Sequence, residues 1–319
     1  MTGLTRERLD GINEAQFDDI LAGLCAPQNR PAPIGEVARS ERGDQIELVL
    51  PKPTTLQRSV KDMYDSHGRY IGRAVYLRDI TREMEVDRMK SEFLSTAAHE
   101  LRTPMVSVHG FSELLLKRPF SEEKKRDIYE TIHRQSKLLV NMVTELLDLA
   151  RIESRAGKDF HIRPIDVAQV VDQAVNAQLI QGDNRMVATH VPADLPRVFA
   201  DEDKLIRALT NILSNAYKYS PKGGDISLDV ISRMENGQAQ LGIRVTDHGI
   251  GMTPEQLARV CERFYRADPS CNIPGTGLGM SLVKEIMTLM GGEVALSSVA
   301  GEGTQATLWL RAVTDGYRA

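Results

Sequence analysis

The stretch from Thr81 to about Glu153 reads as helix throughout, and no other part of the chain limits the fold so tightly. Apolar residues recur at steps of three or four through Val86, Met89, Phe93, Ala97, Leu101, Met105, Val108, Phe111 and Leu115. That is the period of a helix with one buried side. A second stripe runs through Ile128, Ile132, Gln135, Leu139, Met142, Leu146, Leu149 and Ile152. It follows Ser121, placed to cap a helix whose first turn holds Glu122 and Glu123. Lys117-Arg118-Pro119-Phe120 is the connection. Two antiparallel helices with one stripe each do not enclose a core, so the economical solution is a dimer whose two hairpins form a four-helix bundle. Packing against the chain's own other segments is the alternative.

Within the first helix stands His99-Glu100-Leu101-Arg102-Thr103-Pro104. His99 lies two residues from both Ala97 and Leu101, roughly 200° from the stripe at about 100° per residue. Its imidazole therefore faces solvent. Thr103, one turn on, shares that face. Pro104 removes a backbone donor and is expected to bend the helix just after the histidine. Taken alone, the pattern is that of a surface histidine beside a tolerated proline kink.

Composition narrows the classes. A chain of 319 residues is expected to hold two or three domains. Its 41% hydrophobic and 26% charged residues suit globular material. The net charge of -4, with basic residues interleaved among acids, argues against a nucleic-acid partner. Cys25, Cys261 and Cys271 form neither a metal-ligand pair nor a disulfide framework, which points to a reducing compartment. No apolar run approaches the ~20 residues that span a bilayer, and no signal-peptide pattern heads the chain. A cytoplasmic location is expected; a membrane-anchored parent protein is compatible with the same pattern.

Residues 1–81 have a mixed texture, with a short helical pattern at Phe17–Leu24 and breaker-rich stretches at Pro27–Pro33 and Pro51–Pro53. A β-hairpin is expected from Leu56–Met63 and Tyr70–Leu77 around Asp65-Ser66-His67-Gly68. From Phe160 onward, strands are expected at His161–Ile165, Met186–Val191, Asp225–Ile231, Leu241–Thr246, Glu293–Ser298 and Thr304–Arg311. Helices are expected at Asp166–Leu179, Asp203–Tyr219, Glu255–Arg259 and Gly279–Met290. Neighbouring strands exclude simple βα alternation and suit an α/β sandwich with helices on one sheet face.

Four polar clusters follow one another in this region. Asn211 and Asn215 share a helix face, and their amide oxygens suit magnesium, which takes few protein ligands beside phosphate oxygens. Lys218, a point charge for phosphate, and Tyr219 come next. Asp247-His248-Gly249-Ile250-Gly251 sets a carboxylate at a strand end, able to accept a donor from a base edge while the glycines admit close approach. Gly275-Thr276-Gly277-Leu278-Gly279 opens a helical pattern, where backbone N–H groups and the helix dipole cradle phosphates. Gly301-Glu302-Gly303-Thr304 is a turn between strands. Between the second and third clusters, the segment from Met252 to Pro274, with Arg263, Phe264 and Arg266, is long enough to be a lid. Each cluster alone also fits a blander reading: a solvated polar face, a strand-to-loop turn, a common helix start.

Their order and spacing resemble the sensor histidine kinases of two-component signalling. The resemblance covers roughly Glu83 to Leu310, with five motifs in the family's order. It implies an α+β multidomain fold: a mixed α/β segment at 1–81, a dimerisation and histidine-phosphotransfer hairpin at 82–155, and a catalytic ATP-binding α/β sandwich at 160–319. His99 matches the phosphoacceptor, Glu100 the acid that helps activate it, and Thr103 the residue that positions water in the reverse, phosphatase reaction. Asn215 matches the Mg2+ ligand, with Asn211 in support, and Lys218 and Tyr219 match phosphate- and adenine-side contacts. Asp247 matches the adenine-reading acid, with Gly249 and Gly251 beside it. Phe264 and Arg266 match the lid's aromatic and phosphate-facing arginine, and Gly275, Thr276, Gly277, Leu278 and Gly279 the phosphate loop. Gly301 and Gly303 match the last, structural motif.

Met252 and Met280 stand where the family has aliphatic residues, and His248 occupies a variable position. Residues 1–81 resemble only the C-terminal half of a PAS sensor domain, the hairpin ending at Arg78-Asp79-Ile80-Thr81 being that fold's usual exit. The implied ligands are ATP and Mg2+, and the implied partners are a second copy and a response regulator. The same ATP-binding fold also serves ATP-driven dimeric clamps in which no protein is phosphorylated; His99-Glu100 on a helix hairpin speaks against that reading.

Overall fold

A computed structural model describes residues 9–38, 43–155, 158–179, 185–220, 223–267 and 275–313. Cys271 and the distal part of the expected lid lie outside the described residues. The chain divides after Ser95 into two compact units.

In the first unit, α1 (Glu14–Leu24) opens with a capping box in which Asn13 and Gln16 exchange side-chain and backbone hydrogen bonds. A short α2 (Ile34–Val37) precedes β1 (Asp44–Leu48), β2 (Thr54–Tyr64) and β3 (Tyr70–Asp79), an antiparallel sheet in that order. The expected hairpin is present and longer at its ends; β1 is an addition. Alternation along β2 sends Leu56, Arg58 and Val60 inward. Arg58 is fully buried, yet it donates to both carboxylate oxygens of Asp44 (2.9 and 2.7 Å), to Asp18 (3.5 Å) and to the Ala32 carbonyl. Pairing makes a buried guanidinium tolerable. The Asp79 carboxylate accepts from the Thr81 backbone N–H (3.0 Å) and hydroxyl (2.6 Å), while the Thr55 N–H donates to that same hydroxyl (2.9 Å). The Thr81 hydroxyl holds the Asp79 carboxyl below the usual carboxylate range. The start of the long helix is thus pinned to the sheet.

That helix, α3 (Thr81–Lys117), continues unbroken through Pro104 into the second unit, and α4 (Glu122–Arg155) follows a four-residue link. In α4, Ile128, Met142, Leu149 and Ile152 of the expected stripe are buried. One stripe per helix understates this element. Tyr129, Val140, Val143 and Leu147 form a second apolar line on its opposite side, 45–65% exposed.

Beyond α4 come β4 (Arg163–Ile165), α5 (Val167–Leu179), β5 (Val187–His190), β6 (Val198–Ala200), α6 (Glu202–Lys218), β7 (Ile226–Glu235) and β8 (Gln238–Asp247). Then follow α7 (Pro254–Arg259), α8 (Gly279–Leu289), β9 (Glu293–Val299) and β10 (Gly303–Arg311). Five strands form a sheet in the order β5-β7-β8-β10-β9, parallel at β5·β7 and antiparallel elsewhere, while β4 and β6 pair separately. Val170 of α5, Leu209 and Leu213 of α6, and Val283 and Ile286 of α8 share one core with Leu228, Ile243 and Leu308 of the sheet. Ile152 of α4 joins the same core, so the end of the second hairpin helix is built into the α/β layer.

Candidate functional site

His99 sits on α3 with its side chain 75% exposed, Nδ1 3.7 Å from Glu100 Oε1. At that separation the acid lies beside Nδ1 within ion-pair reach but beyond hydrogen-bond distance. The Thr103 hydroxyl lies 3.4 Å from the His99 carbonyl, the back-bond of a threonine one turn on. These three residues stand apart from the cavity described next.

A cavity of about 350 Å3 opens between α6, the ends of β8 and β10, and the segment leading into α8. Asn211, Asn215, Lys218, Tyr219, Asp247, Gly251, Arg266, Gly275, Thr276, Gly277 and Gly279 all line it. Helix α6 brings the first four together because Asp201 caps its start, accepting from the Lys204 N–H at 3.1 Å, and its apolar side is buried in the core. Asn211 donates its amide to the Arg207 carbonyl (3.2 Å). Its oxygen lies 3.3 Å from the position a Cβ on Gly279 would take, which joins α6 to the start of α8.

At the other end of the cavity, the Asp247 carboxylate accepts from the Gly249 N–H at 2.9 Å and from the Thr304 backbone. Burial pushes its pKa up, and those two donors pull against the shift. Gly251 has φ +60°, and a Cβ there would stand 1.9 Å from the Val299 carbonyl oxygen. No other residue fits that loop. The Gly301 N–H donates to the Ile250 carbonyl at 2.7 Å, so the last glycine turn anchors the acid's loop. His248 turns to the Asp225 carbonyl at 3.1 Å and does not line the cavity.

The lid segment differs from expectation at one residue. Phe264 does not line the cavity; Tyr265 does, beside Arg266. Phe264 has φ +61°, and its backbone presses on Gly277, where a Cβ would come within 2.6 Å. Two left-handed positions in contact leave room for a hydrogen atom and no more. Gly249 and Leu278 also stand behind the lining, the leucine 1% exposed. Met252 and Met280 do line the cavity.

One charged lining residue comes from outside the expected motifs. Glu145 of α4 reaches into the cavity, where its carboxylate accepts from the Thr276 hydroxyl. Burial raises the Glu145 pKa, while the Thr276 bond and the Lys218 charge oppose the rise. Desolvation of the ammonium lowers that of Lys218, which is otherwise exposed, and Glu145 opposes this. One turn further, Asp148 pairs with Arg207 of α6. Nothing in the sequence marks Glu145: an acid on a charged helix reads as a solvated face.

Among the described residues, no group of three or more His, Cys, Asp or Glu side chains could hold a metal. The donors at the cavity are instead the two asparagine amides, which suits an ion that keeps most of its ligands from phosphate and water. No helix of the described residues is long and apolar enough to cross a membrane.

Comparison with known proteins agrees with this division of labour. Residues 89–155 match the His kinase A (phospho-acceptor) domain. Residues 200–314 match the histidine kinase-, DNA gyrase B- and HSP90-like ATPase. Together the two matches span more than half of the chain. The sensor-like histidine kinase SenX3 of Mycobacterium tuberculosis is 34% identical over 247 residues, covering 76% of this chain and 59% of that protein. Drug sensory protein A of Synechocystis is 30% identical over 277 residues, covering 83% of this chain and 41% of its own length. The sensor histidine kinase WalK of Bacillus subtilis is 27% identical, with 85% and 43% covered. The chain thus spans 41–59% of the length of these curated relatives. The solved histidine kinase AdeS of Acinetobacter baumannii overlays with a TM-score of 0.51 at 19% identity, over 68% of this chain and 98% of that one, a likeness of fold alone. A phospho-acceptor helix bearing an exposed His-Glu pair, followed by an ATPase domain, places the chain among the sensor histidine kinases of two-component systems.

Proposed function

We propose that the chain autophosphorylates His99 from MgATP and passes the phosphoryl group to an aspartate of a separate response regulator. The exposed His99–Glu100 pair, in the same unit as an ATPase-type cavity, carries the reading. Neutral imidazole already holds a lone pair at physiological pH. Nε2 attacks the γ-phosphorus as the bond to the ADP oxygen breaks, and Glu100 stabilises the positive charge that develops on the ring, holding the Nδ1 proton. Positioning and charge neutralisation supply the rest: Lys218, Arg266 and the backbone amides of the glycine loop hold the phosphates, and Asp247 holds the adenine. The Asn215 amide oxygen, supported by Asn211, would hold Mg2+, which neutralises phosphate charge when bound.

Residues 1–81 then act as a PAS-like sensor or its remnant, 82–155 as the dimerising phosphotransfer hairpin, and 160–319 as the catalytic domain. Thr103, on the face of His99, positions water for dephosphorylation of the regulator. The test is incubation with ATP labelled on its γ-phosphate. Wild type takes up acid-labile, base-stable label and His99→Gln takes up none; equal labelling of the two would refute the assignment.

A further inference from the structure

The cavity is crossed by a residue from outside the ATPase domain, and the crossing has a defined polarity. Asp247, fixed by the Gly249 and Thr304 N–H groups, marks the end that receives a base. The opposite end holds the donors suited to phosphate: Lys218, the Thr276 hydroxyl and the glycine loop that opens α8. Glu145 enters at that second end. Its carboxylate takes the Thr276 hydroxyl as a donor and the Lys218 ammonium as its countercharge. A carboxylate there engages groups that a terminal phosphate would engage, with the same sign of charge.

The docking that brings it there is not confined to one bond. Asp148, three residues along α4, pairs with Arg207, and Ile152, a further turn on, is buried in the core of the α/β layer. Spacings of three and four keep these residues along one side of α4. Glu145 is therefore delivered by a helix that is itself anchored.

We propose that Glu145 is a tethered competitor of the nucleotide's terminal phosphates, so that binding of ATP and release of Glu145 from Thr276 are coupled. The inference rests on the reading of this cavity as a nucleotide site. Adenosine, which needs only the Asp247 end, binds alongside Glu145. ATP must displace it, since a carboxylate and a triphosphate repel in a partly desolvated cleft. Displacement frees the ATPase domain from this contact with α4. The nucleotide thereby weakens the docked arrangement to the same extent that docking weakens the nucleotide, as linkage requires.

Titration calorimetry on the full chain, with ATP, ADP and adenosine in the presence of Mg2+, tests this. Glu145→Gln keeps the bond to Thr276 and removes the charge. It should tighten ATP binding about tenfold, within the usual range of coupling between sites, and leave adenosine unchanged. Asp148→Ala loosens docking without touching the cavity and should shift ATP in the same direction by a smaller factor. Unchanged ATP affinity in both variants overturns the proposal. So does weaker ATP binding by Glu145→Gln, which would make the carboxylate a support for the bound metal. Wild type that binds adenosine and ATP equally well, with both variants tighter for ATP alone, is the full expected pattern. Failure of every ligand to bind either protein would overturn the nucleotide reading itself, and the proposal with it.

Discussion

Replacing Asp247 by asparagine separates what this residue does for the nucleotide from what it does for the fold. The amide oxygen that the substitution introduces can still accept from the Gly249 and Thr304 N–H groups, so the loop keeps its internal bonds. The charge does not survive, and the amide presents a donor where the adenine amino group also donates. A hydrogen bond to a charged partner contributes roughly 1.5–3 kcal/mol. Its loss should therefore weaken ATP about 10- to 150-fold. Stability moves the other way. Because burial raises the folded pKa of Asp247 above its unfolded value, the folded state holds the proton more tightly. The group favours folding as pH falls through that raised pKa, and its charge weighs against folding at higher pH. Asp247→Asn should then melt at or slightly above the wild-type temperature at neutral pH. Wild-type ATP affinity should decline as pH drops through the raised pKa, while the variant's weak binding stays flat. Calorimetry for ATP and thermal unfolding, each across pH, measure both quantities. A variant that binds ATP like wild type, or one that melts several degrees lower, would refute the reasoning.

The glycine loop offers an internal control. Gly277→Ala meets the Phe264 backbone at 2.6 Å in a left-handed conformation, whereas Gly275→Ala finds its nearest neighbour, the Tyr219 hydroxyl, at 3.9 Å. The first should cost about 1–3 kcal/mol in unfolding experiments and lower ATP affinity, the second almost nothing in stability. In the first unit, Arg58→Ala leaves Asp44 and Asp18 facing each other without their cation, at a cost of about 3–5 kcal/mol. Arg58→Met should recover part of that loss in thermal unfolding of the full chain. Ile152→Ala opens a cavity where α4 meets the α/β core and should cost about 2–4 kcal/mol by chemical denaturation.

Long periodic elements were legible in the sequence because their signal repeats. The two hairpin helices, the α6 helix and the five-stranded sheet all rest on many residues each. Short elements carry no such repetition. Strand β6 has three residues and β1 five, too few repeats of the strand period for either to stand out from its surroundings. At the site, motif spacing placed Asn211, Asn215, Asp247 and the glycine loop around one cavity. It missed by one residue in the lid, where Phe264 and Tyr265 are adjacent aromatics and only the backbone turn decides which one faces inward. Glu145 was invisible for a deeper reason. Its surroundings come from Thr276 and Lys218, distant in sequence, and no local pattern encodes a contact across so many residues.

The second apolar line on α4 was hidden by the first. A helix that packs on one neighbour needs one stripe; one that packs on two carries a line on each side. Tyr129, Val140, Val143 and Leu147 lie within about 60° of one another on the helical wheel, across from the buried Met142 and Leu149. On α3, Leu94 and Leu116 stand beside Met105 at the edge of its one stripe, the three 57–87% exposed. On the proposed reading of 82–155 as a dimerising hairpin, a second copy would cover these exposed side chains in a four-helix bundle. Val143→Asp then places a charge at the interface, and two-fold symmetry places it there twice. Each buried apolar side chain of this size contributes roughly 1.5–3 kcal/mol, and an unpaired buried carboxylate costs more. The dimer should therefore dissociate at least about a hundredfold more readily, seen as a shift toward monomer in sedimentation at matched concentrations. Calorimetric binding of ATP should persist in that monomer, because the cavity is lined by residues of a single chain. A variant that sediments as a dimer would show that this side of α4 faces something other than a second copy.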